Sequence, residues 1–303
     1  MKARLVRLIQ LLAGFAAIAC VGYFVRKLLI AGLDYHSFWH YSVRVVAVMV
    51  AVFTTIVITQ LVSAPNPAES LGETPAPESP FKVSNLCKRL LDVLLSVMLL
   101  TVLFPLLVFV SLLIFVLEGY PIFYISKRYI SMDRCVSVLK FRTMVRDATS
   151  PKHRLKERYM RDGYLDVPLD CEVYTPIGRF LERTQIVEVL QLFNILLNGM
   201  SLIGNRPLPK ENINLLKQFN GWEGRFASPT GLTGLSQVVG RHNQSPQERL
   251  ELECMYSNLY RKRSANILKC DLYIVYYTVR LLLLGKVLPI EDAKRIIRAS
   301  AGG

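Results

Sequence analysis

Residues 93–117 read VLLSVMLLTVLFPLLVFVSLLIFVL, twenty-five positions without a charge and with Pro105 near the middle. A spanning helix needs about 20 apolar residues, so this stretch is long enough to enter lipid. Proline removes one helical hydrogen bond and crowds the preceding turn, so a kink is expected at Pro105. Both flanks are basic, with Lys82, Lys88 and Arg89 before the stretch and Lys127, Arg128 and Arg134 after it. The positive-inside rule places both flanks on the cytoplasmic side. A straight span cannot satisfy that, whereas a helix that enters, bends at Pro105 and leaves on the same face can. From hydropathy alone, an ordinary Pro-kinked span is the alternative.

Working outward toward the N-terminus, residues 8–25 and 45–62 form two further apolar segments. Lys2, Arg4 and Arg7 give the first a basic start, but no small-x-small cleavage site follows and a second span comes soon after. The expectation is a transmembrane helical hairpin over 1–62 with its outer loop near Asp34. Residues 63–80, SAPNPAESLGETPAPESP, hold five Pro and three Glu and cannot pack a core. A linker is expected over 63–84, then a re-entrant helix over 85–119 and a cytoplasmic domain over 120–303.

The whole chain has 303 residues, 52% of them hydrophobic, which excludes an intrinsically disordered protein. With 17 Gly and 15 Pro it is not collagen-like. The six Cys form no C-x-x-C pair and the four His complete no zinc pattern, so free thiols are expected. The net charge is +14. That could serve a nucleic acid, a membrane surface or anionic metabolites. No run of five consecutive basic residues and no nucleic-acid motif occurs, so nucleic acid is not expected as a partner.

Residues 121–130 and 135–144 are rich in β-branched and aromatic side chains and read as extended segments. Residues 151–165 are charged and read as a surface helix. Residues 178–197 read as one amphipathic helix stopped by Asn198-Gly199. Residues 246–261 read as another, with Ser245 as cap, Pro246 at the first position and Glu248 closing a capping box. Residues 267–287 are nearly all apolar and aromatic. A helix at the membrane interface and a buried core helix are both open there. The fold class expected is α/β in the broad sense, an α+β arrangement that is mostly helical.

The residues able to do chemistry cluster. Lys140 and Arg142 lie two apart in an extended segment, where both can point to one side. Arg183, Glu188 and Gln191 fall on the helix expected over 178–197, with Gln191 on the face of Glu188. Arg206 is stiffened by Pro207. Gly231, Gly234, Gly240 and Arg241 read as a loose glycine-rich loop. A carboxylate among arginines and turns is the make-up of a phosphate site, since guanidinium forks grip oxygens and a carboxylate holds Mg²⁺ or attacks phosphorus. Taken singly, each of these residues is more often a surface salt-bridge partner. Composition alone stops at a membrane-attached basic domain.

At these residues the chain resembles the bacterial sugar transferases, the monotopic polyprenyl-phosphate phosphoglycosyl transferases. The family's K-R-x-x-D is matched by Lys88, Arg89 and Asp92, and its K-F-R-[ST]-M by residues 140–144. Its D-E-L-P-Q-L-x-N aligns with residues 187–194. Its G-x-M-S-[LF]-[VI]-G-P-R-P aligns with residues 198–207, and its P-G-[IL]-T-G-x-x-Q-V-x-G-R with the stretch ending at Arg241. The resemblance runs from about residue 88 to 286. It implies a re-entrant helix bent at Pro105, a catalytic domain on the cytoplasmic face of the bacterial inner membrane, Mg²⁺, a UDP-sugar donor, an undecaprenyl-phosphate acceptor and the first step of exopolysaccharide, capsule or O-antigen synthesis. A homo-oligomer is compatible with it. The implied mechanism has an aspartate attack the phosphate next to the sugar and expel UMP, after which the lipid phosphate takes the sugar phosphate.

The chain departs from the pattern at one decisive place. The aspartate position is Val187, which can neither attack phosphorus nor bind Mg²⁺. Glu188 is then the working carboxylate, as nucleophile or metal ligand, with Lys140, Arg142, Arg183, Gln191, Arg206 and Arg241 holding substrate. On a continuous helix Glu182 would point roughly 140° away from position 187 and would be a poor substitute. Asn205 stands where the family has Pro. The readings that compete are an active enzyme, a non-catalytic partner that binds UDP-sugar or polyprenyl phosphate, and a scaffold in a polysaccharide assembly complex.

Overall fold

The computed structural model describes residues 83–161, 164–240, 243–262 and 266–301, with 55 and 71 standing alone. The hairpin expected over 1–62 and nearly all of the 63–84 linker lie outside the described residues. Contact density divides the chain into Met1–Pro65 with Phe104–Val108, and Asn66–Leu103 with Phe109–Gly303. The second unit carries every element below except the middle of the first helix.

That helix, α1 (Val83–Glu118), is a continuous 36-residue helix with Pro105 inside it. Leu86–Glu118 is long and apolar enough to cross a membrane. Gly119, at φ 70°, ends it, and its N–H returns to Phe115 O at 3.0 Å. A left-handed residue after the last turn is where glycine costs least. The polar residues near the start of α1 fasten it to the domain. Arg89 donates to Met200 O at 2.7 Å and to Ile195 O at 2.8 Å. Asp92 accepts from Ser201 Oγ at 2.7 Å and from Leu202 N at 2.9 Å. Lys88 meets Asp271 at 2.5 Å, and Tyr256 Oη donates to the same carboxylate at 2.7 Å. Lys88, Asp92, Ser201, Tyr256 and Asp271 are buried and Arg89 half-buried, and each finds the partner that burial demands.

The two segments expected to be extended form an antiparallel pair, β1 (Phe123–Tyr129) and β2 (Cys135–Phe141), in register from Phe123↔Phe141 to Tyr129↔Cys135. The charged stretch expected to be a surface helix is shorter and mixed. It holds a 3₁₀ turn (Pro151–His153), α2 (Leu155–Tyr159) and a two-residue hairpin, β3 (Met160–Arg161) with β4 (Tyr164–Leu165).

The single amphipathic helix expected over 178–197 is two helices. α3 (Pro176–Arg183) starts on Thr175, whose side chain caps Gly178 N, and it ends where Gln185 takes a left-handed φ of 59°. A 3₁₀ turn (Ile186–Glu188) follows, then α4 (Gln191–Asn198), stopped by Gly199 at φ 77°. Asn194 of α4 is fully buried. Its amide donates to Ser137 O at 2.6 Å, and its carbonyl accepts from Leu139 N at 3.2 Å, so one side chain serves as a strand partner for β2.

β5 (Ser201–Ile203) pairs in parallel with β6 (Gly231–Thr233). Gly231 and Gly234, read as part of a loose loop, instead let their backbone lie against that of Gly204. A Cβ on Gly204 would sit 2.2 Å from Pro229 O, and one on Gly231 would sit 2.1 Å from Gly204 N. Between and after these strands come α5 (Lys210–Leu216), α6 (Leu235–Val239), α7 (Pro246–Arg261), α8 (Asn266–Leu284) and α9 (Ile290–Ala301). The capping box on α7 is present in both directions. Val238, Val239, Leu252, Tyr256, Ile267, Ile274 and Ile297 pack into one core between α6, α7, α8 and α9. The other face of α8 stays exposed through Leu272, Tyr276, Val279 and Leu283. The helix is therefore buried on one side and apolar on both.

Candidate active site

The site forms where β2, the turn after α3 and the end of β5 converge. Lys140 is the penultimate residue of β2, Glu188 closes the 3₁₀ turn, and Arg206 follows β5. Lys140 Nζ lies 2.7 Å from Glu188 Oε1. Arg206 grips the same carboxylate with its fork, Nη1 to Oε2 at 3.1 Å and Nη2 to Oε1. The side chains keep 19%, 13% and 25% of their exposure for Lys140, Glu188 and Arg206.

Burial by itself would push the Glu188 carboxyl up, but the charges of Arg206 and Lys140 and their hydrogen bonds outweigh it and hold the group well below the usual carboxylate range. Glu188 in turn raises Arg206. Burial pulls the Lys140 ammonium down, with Glu188 opposing. The cluster is one anion between two cations, so its net charge suits an anionic ligand.

Arg206 is held from below. Its carbonyl accepts from Arg225 Nη2 at 2.8 Å, and Arg225 Nε pairs with Glu253 Oε2 at 2.7 Å, a bond with almost no solvent access. Arg249 Nε reaches the other oxygen of Glu253 at 3.0 Å. Asn205, the residue standing in place of a proline, donates to Arg225 O at 2.7 Å and to Ser257 Oγ at 2.9 Å. Sequence reasoning missed Arg225 and Glu253. They sit in no motif, and only their total burial marks them.

A cavity of about 1930 Å³ opens beside the cluster. Its charged lining includes Lys140, Glu182, Arg183, Glu188 and Arg206, and its apolar lining includes side chains of α1 (Leu95, Leu99, Leu103) and α8 (Leu272, Val275, Val279). Of the residues expected to hold substrate, Lys140, Arg183 and Arg206 therefore share one cavity with Glu188, the expected working carboxylate. Arg142 does not line it. Its guanidinium turns back to the end of α1, donating to Glu118 O at 3.2 Å, Gly119 O at 3.0 Å and Pro121 O at 2.6 Å. There it satisfies the orphan carbonyls of the helix and meets the negative end of its dipole. Gln191 is buried and also off the cavity, and Arg241 lies outside the described residues.

Val187 is 1% exposed and does not line the cavity, whereas Glu182 does. The left-handed turn at Gln185 invalidates the continuous-helix argument that pointed Glu182 elsewhere. Among the described residues no group of three or more His, Cys, Asp or Glu could cage a metal. Glu188 can offer Mg²⁺ one carboxylate lone pair beyond those its cations occupy. That fits an ion whose other ligands are substrate phosphates and water, and not a dedicated protein cage.

A family model described as bacterial sugar transferase matches residues 83–285. The chain is 31% identical over 170 residues to the galactosyl transferase CpsE of Streptococcus agalactiae serotype III, a match covering 55% of this chain and 36% of that protein. It is 28% identical over 209 residues to the exopolysaccharide production protein ExoY of Sinorhizobium fredii, covering 65% and 85%. It is 28% identical over 205 residues to the UDP-glucose:undecaprenyl-phosphate glucose-1-phosphate transferase of Klebsiella pneumoniae, covering 67% and 41%. The chain thus spans about two-fifths of the length of the first and third of these relatives and most of the second. The family match runs from the first residue of α1 to just past the end of α8 and takes in Lys140, Glu188 and Arg206, and on that span the chain belongs to the bacterial sugar transferase family.

Proposed function

We propose that this chain transfers a sugar-1-phosphate from a UDP-sugar to undecaprenyl phosphate at the cytoplasmic face of the bacterial inner membrane, as a first step of exopolysaccharide, capsule or O-antigen synthesis. The observation that carries the reading is a cavity whose lining joins a cation-rich cluster to apolar side chains of α1 and α8. A nucleotide diphosphate suits the first part of that lining and a polyprenyl chain the second. Relatives whose names state UDP-glucose and undecaprenyl phosphate support both substrates.

In this reading Arg183 and Arg206 hold the donor diphosphate, and Lys140 compensates the charge that grows on the phosphoryl oxygens. Glu188 orients Lys140 and Arg206 and presents one carboxylate edge to the metal. Mg²⁺ bound with the donor supplies further charge neutralisation. The exposed side chains of α1 and α8 face lipid. Re-entry of α1 is supported by its two ends. Arg89 and Asp92 near one end and Glu118 with Gly119 at the other are all tied to the same domain. Basic residues on both flanks agree with the cytoplasmic side.

The burial of an apolar Val187 at the aspartate position favours one second reading, a binding partner without turnover. UMP release from a panel of UDP-sugars, with Mg²⁺ and undecaprenyl phosphate, decides between the two. The enzyme reading expects release above background, lowered on the order of a hundredfold or more in Arg206→Ala. Donor binding without UMP release would leave only the binding partner.

A further inference from the structure

We propose that Glu182 is the nucleophilic carboxylate of this site, taking the part that an aspartate at position 187 would otherwise take. The proposal rests on the transferase reading above. Its first support is elimination by geometry. Val187 is apolar, buried and off the cavity. Glu188 lines the cavity, but both its oxygens already accept from Lys140 or Arg206, and the one lone pair left on Oε2 is the one that would hold Mg²⁺. A carboxylate clamped by two cations has little electron density left to give to phosphorus. Asp92 and Asp271 also line the cavity, yet they fasten α1 to β5 and α8. Asp166 and Glu211 line it too, but neither is among the carboxylates that act most on Arg206 or Lys140.

The second support is the placement of Glu182. It lies in the last turn of α3, half-buried, and lines the same cavity as Lys140, Arg183 and Arg206. Its Oε1 accepts one hydrogen bond, from Thr143 Oγ1 at 3.0 Å, and its Oε2 has no hydrogen-bond partner among the described residues. One oxygen is thus oriented and the other is free to react. Thr143 is itself buried next to β2, so the orienting bond starts from a fixed base. The chain supports this orientation, since Gln185 Nε2 donates to Glu182 O at 2.7 Å and the left-handed Gln185 ends the helix there. After Glu188, Glu182 is the carboxylate that acts most on Arg206. A phosphate held by Arg206 would therefore lie in its field.

The step balances without any further reactant. A Glu182 oxygen attacks the phosphorus that bears the sugar. The bond from that phosphorus to the bridging oxygen of UMP breaks, and UMP leaves with the electron pair. The product is a mixed anhydride between Glu182 and the sugar phosphate. A phosphate oxygen of the polyprenyl phosphate then attacks the same phosphorus, the bond to Glu182 breaks, and the carboxylate is restored.

The test uses the full chain in membranes, a panel of UDP-sugars carrying ³²P in the phosphate next to the sugar, and a denaturing quench before acceptor is added. The expected result is label on the peptide containing Glu182 and an equivalent release of UMP. Both should fall on the order of a hundredfold or more in Glu182→Gln, while that variant still binds donor and melts near the wild type. Glu182→Asp, which keeps a carboxylate one methylene shorter, should retain measurable labelling. Label on another residue, or Glu182→Gln turnover within about threefold of wild type, would overturn the proposal and leave the transferase reading intact. Absence of UMP release from the wild type with every donor and with acceptor present would instead remove the transferase reading, and this proposal with it.

Discussion

Glu188 faces two cations and keeps little of its side-chain exposure, and its chemistry follows from that. Its carboxyl titrates below the ordinary glutamate value of 4.5 because Arg206 and Lys140 outweigh the cost of burial. A carboxyl depressed on folding adds stability that is fully present above its unfolded value and is lost as pH falls through the folded one. Wild-type protein should therefore lose thermal stability progressively as pH drops below about 4.5. Glu188→Gln should be less stable at pH 7 by about 2–3 kcal/mol and should show a flatter acid limb, as read by melting temperature across pH. An identical acid limb in the variant would mean that the clamp contributes nothing. Lys140, Glu188 and Arg206 were legible in the sequence through their motifs. Glu182 was not, because its relation to the site depends on a left-handed Gln185. Glutamine in that conformation has no sequence signature, whereas glycine would have announced it.

At the scale of elements, legibility followed local chemistry. The β1–β2 pair was visible in its β-branched and aromatic runs, and α7 in a cap that the structure reproduces bond for bond. The split between α3 and α4 was hidden because the apolar period continues across the break, so pattern alone joins the two. The docking role of Lys88, Arg89 and Asp92 was equally hidden, since a motif gives residue types and not their partners. Gly178 illustrates how tightly α3 is seated. A Cβ there would come within 1.9 Å of Thr143 O, a backbone atom that cannot step aside. Gly178→Ala should cost about 3 kcal/mol and displace both Thr143 and the end of α3. Protease resistance and melting temperature check this, and an unshifted melt would show that α3 packs less closely on the strand than its contacts indicate.

At the scale of the whole molecule, the described residues present two apolar helical surfaces, on α1 and on α8, beside a charged cavity. Hydropathy foretold the first surface and left the second open between membrane and core. The structure gives α8 one face in the core and one outside, a division that a nearly uniform apolar sequence cannot show. The donor and lipid acceptor proposed for this chain would meet at the membrane surface, on the side that carries the domain. The most direct measurement is therefore lipid product formation in sealed vesicles. Inverted inner-membrane vesicles containing this chain, given UDP-sugars labelled in the sugar, should yield labelled lipid that releases sugar phosphate on mild acid treatment. Sealed right-side-out vesicles should yield none. Labelled donor that binds inverted vesicles while the extracted lipid stays unlabelled, across the whole donor panel, would contradict the account.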